Sequence, residues 1–241
     1  MTQRLNESDQ PIGEEIPGWK SARIPPPTSI EGRFCRVEPL DVEKHLHDLF
    51  EAYTQDSEGK LWTYMLVGPF SRIEELRDWM EPACKATDPL FHALIDLTTG
   101  RAVGMAAYMR IKPEIGVIEV GSIAYSPRLQ RTPIATEAMF LMMKRVFTEL
   151  GYRRYEWKCD SLNSASRRAA ERLGFSYDGL FKQALVYKGR NRDTAWYSML
   201  DCDWPSVEKG YLKWLEAGNF DEAGRQKQKL QDLILSAKIP S

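Results

Sequence analysis

The stretch Ser122 to Ala138, reading SIAYSPRLQRTPIATEA, passes from an apolar strand through a basic, polar turn into a helix. Such a turn aims unpaired backbone N–H groups and the positive end of a helix dipole at one point, which suits a phosphate. The small residues Ala135 and Thr136 let a ligand approach the backbone, and Arg128 and Arg131 can add charge-assisted contacts. The plainer alternative is an ordinary strand-to-helix connection with solvated arginines. A nucleotide-binding P-loop fits poorly, because Gln130 to Thr136 contains neither its glycines nor its lysine.

A second polar constellation follows at Asn163-x-x-Ser166, ahead of Glu171-Arg172-Leu173-Gly174-Phe175. By itself Asn163 reads as a helix cap and Ser166 as a surface hydroxyl. No cysteine, serine or histidine shows a recognisable triad spacing, and His45, His47 and His92 read as packing or surface residues. Cys35, Cys84, Cys159 and Cys202 lie 49, 75 and 43 residues apart, so none forms the close pair of a metal or redox motif, and no metal is expected.

The elements that position these residues follow from periodicity. Residues 1–29 are polar and carry Pro25-Pro26-Pro27, which predicts an extended or partly disordered arm. A strand is predicted over Gly32 to Val37, then a helix capped by Asp41, then an amphipathic helix after Ser71. Leu90 to Leu97, Ala102 to Ile111 and Gly116 to Tyr125 read as an antiparallel meander. Ile134 to Leu150 is a buried helix stopped by Gly151, and Tyr155, Trp157 and Cys159 alternate with charged residues as a half-covered strand. A short helix capped by Asn163 ends at Gly174, and Phe175 to Lys188 and Asp193 to Leu200 read as strands joined through Gly189 to Arg192. Beyond Pro205 the pattern is helical, over Val207 to Leu215 and Phe220 to Ala237.

In 241 residues this is one core domain at 30–203, with the arm at 1–29 and a helical extension at 204–241. The extension could pack on the core or on a second subunit, which leaves a homodimer open. With 33 Lys+Arg against 34 Asp+Glu the net charge is -1, and no global basic field exists to gather nucleic acid or an anionic membrane. The first twenty residues contain no signal-like apolar stretch, and the longest apolar run, Ala138 to Met143, is too short to span a bilayer. A cytoplasmic protein is expected.

Gln130-Arg131-Thr132-Pro133-Ile134-Ala135 resembles the Gln/Arg-x-x-Gly-x-Gly/Ala turn of the GNAT acetyltransferases, with Pro133 in place of a glycine. Asn163-x-x-Ser166 and its helix ending are similar to the Asn-bearing helix of that family. The resemblance runs from about Ile30 to Leu200. Glu31-Gly32-Arg33, Val37 to Asp41 and Gly189 to Thr194 look closest to the RimJ/RimL-type subgroup, which acetylates protein N-termini or small amines.

The resemblance implies a mixed α/β GNAT fold, with a mostly antiparallel twisted sheet splayed at the CoA site and helices on both faces. It implies acetyl-CoA as co-substrate, its pyrophosphate at Gln130, Arg131, Ala135 and Thr136, its pantetheine paired with Ile123 and Tyr125, and Asn163 and Ser166 facing CoA. The implied reaction is direct attack of an amine on the thioester. Glu119 stands where many members place a glutamate base, its alternative being a strand carboxylate paired with a basic neighbour; Asp193 is a second carboxylate candidate. A backbone N–H near Ile123 would hold the oxyanion. The tyrosine acid of many members falls on Ala170, so either no acid is used or Ser166, Tyr125 or Tyr187 replaces it. Trp62, Tyr64 and Phe70 are candidates for an acceptor wall or for core packing. The alternative to an enzyme is a non-catalytic acyl-CoA-binding module that contacts a protein partner through its C-terminal helices.

Overall fold

Asp41 does what its position predicts: its carboxylate accepts from the Lys44 amide at 3.0 Å and opens helix α1, Val42–Tyr53. In the computed structural model, which describes residues 4–238, the remaining helices are α2 (Ile73–Ala83), α3 (Pro133–Lys144), α4 (Ser164–Arg172), α5 (Trp204–Trp214) and α6 (Leu230–Lys238). The first three residues of the arm and the last three of the chain lie outside the described residues. Two short strands, β1 (Arg4–Leu5) and β2 (Pro11–Ile12), form a separate hairpin in the arm. The main sheet contains β3 (Ile30–Glu31), β4 (Cys35–Pro39), β5 (Leu90–Asp96), β6 (Arg101–Lys112), β7 (Val117–Tyr125), β8 (Arg154–Asp160), β9 (Ser176–Tyr187) and β10 (Arg190–Leu200). Their order is β3-β4-β5-β6-β7-β8-β10-β9, antiparallel throughout except for β7 and β8.

The fold is mixed α/β, with apolar cores on both faces of the sheet. On one face Leu46, Leu49, Leu76 and Met80 from α1 and α2 pack on Phe91, Ala93, Met105 and Ala107 of β5 and β6. On the other, Ala138 and Met142 of α3 and Ala170 of α4 join Val207, Tyr211 and Leu233 of α5 and α6 over β6, β7, β8 and β10. The C-terminal extension is therefore packed on the core of its own chain: Phe140 stacks on Tyr211 and Trp204, with centroids 5.0 and 6.1 Å apart.

Several boundaries move from their predicted positions, each for a local reason. The strand predicted from Gly32 to Val37 splits into β3 and β4 around a turn built on Glu137, a residue of α3. This buried carboxylate accepts from the amides of Arg33, Phe34 and Cys35 at 2.7, 2.6 and 2.9 Å. Gly32 is required there, since a Cβ would lie 2.5 Å from the Glu137 carboxyl carbon. β10 begins at Arg190 rather than Asp193, because Lys188 and Gly189 both take positive φ (48° and 70°) and close a two-residue hairpin. The helix after Ile134 widens into a π turn at Arg145–Glu149. Helix after Phe220 starts only at Leu230, because Asp221 accepts from the Ala223 and Arg225 amides and folds the intervening segment into a turn. The arm is extended but tethered, as the buried Arg145 donates to the Thr28 and Ser29 carbonyls at 2.7 and 3.2 Å.

Replacing Glu137 by Ala leaves three amides of a buried turn without their acceptor. A loss of about 3 kcal/mol is expected, seen as a fall in Tm of roughly 6–12 °C. Gly32→Ala should shift Tm in the same direction by colliding with the same carboxylate, and an unchanged Tm in both variants would remove the clamp from the account.

Candidate active site

β7 and β8 pair only from Val117↔Arg154 to Val120↔Trp157. Beyond Val120 they part, because β7 bulges: between the Ala107↔Gly121 and Met105↔Ala124 pairs, Ser122 and Ile123 together oppose the single residue Ala106. Ser122 takes φ +49°, and the Met109 thioether lies over Gly121 beside it, in the space a side chain there would take. On the side facing β8, residues 121–125 have no strand partner among the described residues. A gap with free backbone groups on one wall thus opens in the middle of the sheet, at the predicted pantetheine positions Ile123 and Tyr125.

At the end of β7 the chain turns at Ser126 to Leu129, whose amide bonds back to the Ser126 carbonyl at 2.9 Å, and reaches the N-terminus of α3. Arg131 adopts φ +61°, Thr132 caps the helix through its hydroxyl, and Pro133 occupies the first helical position. Proline has no N–H to offer and the Ala135 amide donates to the capping Thr132 hydroxyl at 3.4 Å, which leaves the Ile134 amide as the open donor of this first turn among the described residues. The structure divides the predicted polar side chains by role. Arg131 is exposed and has no carboxylate within ion-pair distance among the described residues. Arg128 is committed to Glu51 of α1 at 2.7 Å, and Glu51 is held down to about 2 by hydrogen bonds from Arg101 and then Arg128. Gln130 donates to the Tyr125 carbonyl at 2.9 Å and braces the turn. Ala135 and Thr136 are buried at the start of the helix, where Arg172 of α4 donates to the Thr136 hydroxyl at 3.1 Å. Sequence reasoning passed over Arg172; its signal was only its place beside the Leu173-Gly174-Phe175 helix ending.

Asn163 and Ser166 stand on the β8 side of the gap. Asn163 caps α4, accepting from the Ser166 amide at 3.0 Å, and the Ser166 hydroxyl accepts from the Trp157 indole at 2.9 Å. Tyr125 donates to the Ala135 carbonyl at 3.3 Å, so its phenol points to the helix end of the gap. Tyr187 donates to Asp160 at 2.7 Å and is pushed up to about 12, mainly by burial. Ala170 is buried in the helix-side core.

Glu119 lies on the opposite face of the sheet, two per cent exposed and between two cations: Arg110 at 2.7 Å and Lys158 at 2.8 Å. Lys158 also contacts Glu156 at 2.7 Å and sits 3.8 Å above the Trp196 ring. Arg154 joins Glu156 at 2.7 Å and reaches Asp178 beyond it. Burial pushes the Glu119 carboxyl above its ordinary value, and the two cations only partly pull it back. Lys158, Arg110 and Glu156 were not read as a group from sequence, because the pairing of β6 and β8 on either side of β7 is what brings them together. Asp193 is held elsewhere, accepting from the Gln183 amide and Asn191 at 2.7 and 2.9 Å. Of the aromatic wall residues, Trp62 and Phe70 pack edge to face at 5.1 Å within the core, whereas Tyr64 reaches the Leu162 carbonyl at 3.3 Å and ties the Lys60–Pro69 segment to the start of α4.

No group of acidic, histidine or cysteine side chains among the described residues could hold a metal ion, and no described helix is long and apolar enough to cross a membrane. No curated protein matches the chain. The acetyltransferase (GNAT) domain matches residues 36–176, more than half of its length. Among solved structures, a GCN5-related N-acetyltransferase from Brucella melitensis is 46% identical, with TM-score 0.89 over 91% of this chain and 99% of its own. A probable GNAT-family acetyltransferase from Chromobacterium violaceum is 38% identical, with TM-score 0.75 over 81% of this chain and 98% of its own. The microcin C7 self-immunity acetyltransferase MccE, solved with acetyl-CoA and AMP, shares the fold at 17% identity and TM-score 0.63, over 73% of this chain and 98% of its own. The chain is a member of the GNAT acetyltransferase family.

Proposed function

We propose that the protein is an acetyl-CoA-dependent N-acetyltransferase acting on an amine, either a protein N-terminus or a small molecule, within the RimJ/RimL-type branch and in the cytoplasm. The observation that carries this reading is the gap opened by the Ser122–Ile123 bulge, with the α3 N-terminus at one end and a buried carboxylate, Glu119, beside the other. Acetyl-CoA supplies an activated acyl group as a thioester. The edge of β7 at Ile123 and Tyr125, which has no strand partner, fits its amide-bearing arm, and the Ile134 amide with Arg131 fits its pyrophosphate. Proline at position 133 preserves the helix start while removing one donor, which gives the exposed Arg131 a larger share of that contact.

The amine must be neutral when it attacks. Free α-amino groups titrate near 8, so a base helps at neutral pH, and Glu119 serves by taking the proton through a bound water. Arg110 and Lys158 hold its carboxylate in place, while burial keeps it a better proton acceptor than an exposed glutamate. The Ile123 amide at the bulge serves as the donor that stabilises the oxyanion. The departing thiol, with a pKa near 8.5 if it resembles cysteine, can leave as thiolate, so the methyl group of Ala170 in place of a phenol does not stop the reaction. The packing of α5 and α6 on their own core favours the enzyme over a binding module that would use these helices for a partner.

The decisive experiment is thiol release from acetyl-CoA across an amine panel, where binding without amine-dependent release would turn the assignment to an acyl-CoA-binding module. Arg131→Glu should weaken acetyl-CoA binding about tenfold, or roughly 1.4 kcal/mol, with Tm unchanged because the side chain is exposed. An unaltered calorimetric affinity would place the phosphates elsewhere. Glu119→Gln should lower kcat while sparing acetyl-CoA affinity. The parent rate should fall as pH drops through the raised Glu119 pKa. The deficit of the variant should be largest between that pKa and the amine pKa, and should shrink above the latter, where the amine needs no base. Superimposable pH profiles would reduce Glu119 to a structural ion-pair partner.

A further inference from the structure

The face of the sheet that carries Glu119 is only half covered. The core beneath α1 and α2 includes no residue of β8, β9 or β10. Over that open half the Lys60–Pro69 segment and the β9–β10 hairpin tip are joined. Lys188 donates to the carbonyls of Trp62, Gly68 and Val67 at 2.9, 2.9 and 3.4 Å, and Arg190 donates to the Thr63 carbonyl at 2.7 Å. If acetyl-CoA occupies the gap from the α3 side, as proposed above, an acceptor must approach the thioester through the mouth framed by this clasp.

The charges around the mouth fall into two groups. Farther along the sheet the cations around Glu119 and Glu156 are matched: Arg110 and Lys158 by Glu119, Lys158 again by Glu156, and Arg154 by Glu156 and Asp178. At the hairpin, Lys188, Arg190 and Arg192 have no carboxylate within ion-pair distance among the described residues, and the bonds of Lys188 and Arg190 to carbonyls leave their charge uncompensated. The two carboxylates nearest this rim are taken by neutral donors: Asp160 by the Tyr187 hydroxyl and the Leu162 amide, Asp193 by the Gln183 amide and Asn191. Arg192 is the most defined of the three cations. It is half-buried, and its Nε donates to the Thr194 hydroxyl at 3.1 Å, which fixes the plane of the guanidinium while its two terminal nitrogens have no partner among the described residues. A planar fork held in this way is suited to a carboxylate.

Register sets the distance of this fork from the chemistry. β7 and β8 are parallel with Val120 opposite Trp157, and on the far side of β8 its last residue, Asp160, is paired with Thr194 of β10. Arg192, two residues before Thr194 on β10, therefore stands across the gap from the bulge by at least two strand spacings, about 10 Å. Such a separation is longer than a free amino acid can span and suits a side-chain carboxylate carried further along a peptide.

We infer that Arg192, on the rim formed with Lys188 and Arg190, is a recognition site for a carboxylate carried by the acceptor at least about 10 Å from its reacting amine. An acidic peptide N-terminus fits this site, and a polyamine is repelled from it. The inference rests on the N-acetyltransferase reading and is tested apart from it. Calorimetry on the enzyme with CoA compares the peptides Ser-Ala-Asp-Ala and Ser-Ala-Lys-Ala and the polyamine spermidine. The acidic peptide should bind at least tenfold more tightly than either of the others, with the margin shrinking at high salt and collapsing in Arg192→Glu. Arg192→Ala serves as a second variant should the charge reversal disturb the hairpin. Equal binding of the two peptides, tighter binding of spermidine, or a margin that survives both substitutions would overturn the site. Thiol release measured with the same peptides keeps the readings separate. Release irrespective of charge retains the transferase and removes the carboxylate site, whereas charge-selective binding without release retains the site and removes the transferase.

Discussion

The parallel pairing of β7 with β8 is the constraint on which the rest of this molecule depends. Two parallel neighbours cannot be joined by a hairpin, so the chain must leave the sheet and return by a crossover. That crossover is α3. Its N-terminus must begin where β7 ends, which puts the donors and dipole of its first turn beside the gap. One turn further along the same helix, Glu137 reaches across to hold the β3–β4 turn, so the crossover also locks the opposite end of the sheet. A helix that satisfies a topological requirement thereby supplies the proposed anion site and the clamp on the N-terminal strands.

The gap is a second consequence. Parallel pairing is kept for four residues and is then broken by an extra residue in β7 and a left-handed Ser122. Were the bulge absent, β7 would have no cause to turn away from β8, and the amides of residues 121–125 would be occupied by a strand. The break also divides the side chains. Alternation sends Tyr155, Trp157 and Cys159 into the core beneath α3 and α4, while Glu156 and Lys158 go to the other face with Glu119. The amine chemistry proposed here is therefore kept on the face away from the site that would bind phosphate.

Local signals carried much of the fold. Asp41 and Asn163 were readable as caps because a short side-chain acceptor before an apolar-periodic run has few other uses. The alternation from Arg154 to Cys159 and the meander from Leu90 to Tyr125 gave strands close to those found. Boundaries failed where a partner from elsewhere in the chain decided them. Nothing near Gly32 announces that its turn is organised by a carboxylate some hundred residues away, whereas the turn ahead of Leu230 is local, made by Asp221 accepting from the Ala223 and Arg225 amides.

The same division runs through the site. Sequence determined the residue types and the strand-to-helix turn, since the cap at Thr132 and proline at the first helical position are properties of neighbouring residues. It could not decide which of two nearby arginines remains free. Arg128 is drawn to Glu51 on a distant helix while Arg131 faces outward. Nor could it show Glu119 buried between Arg110 and Lys158, or Arg192 held flat by Thr194 at the rim. A side chain's charge state and freedom depend on what packs around it, and those neighbours are set by strand order and register, which no local stretch of sequence contains.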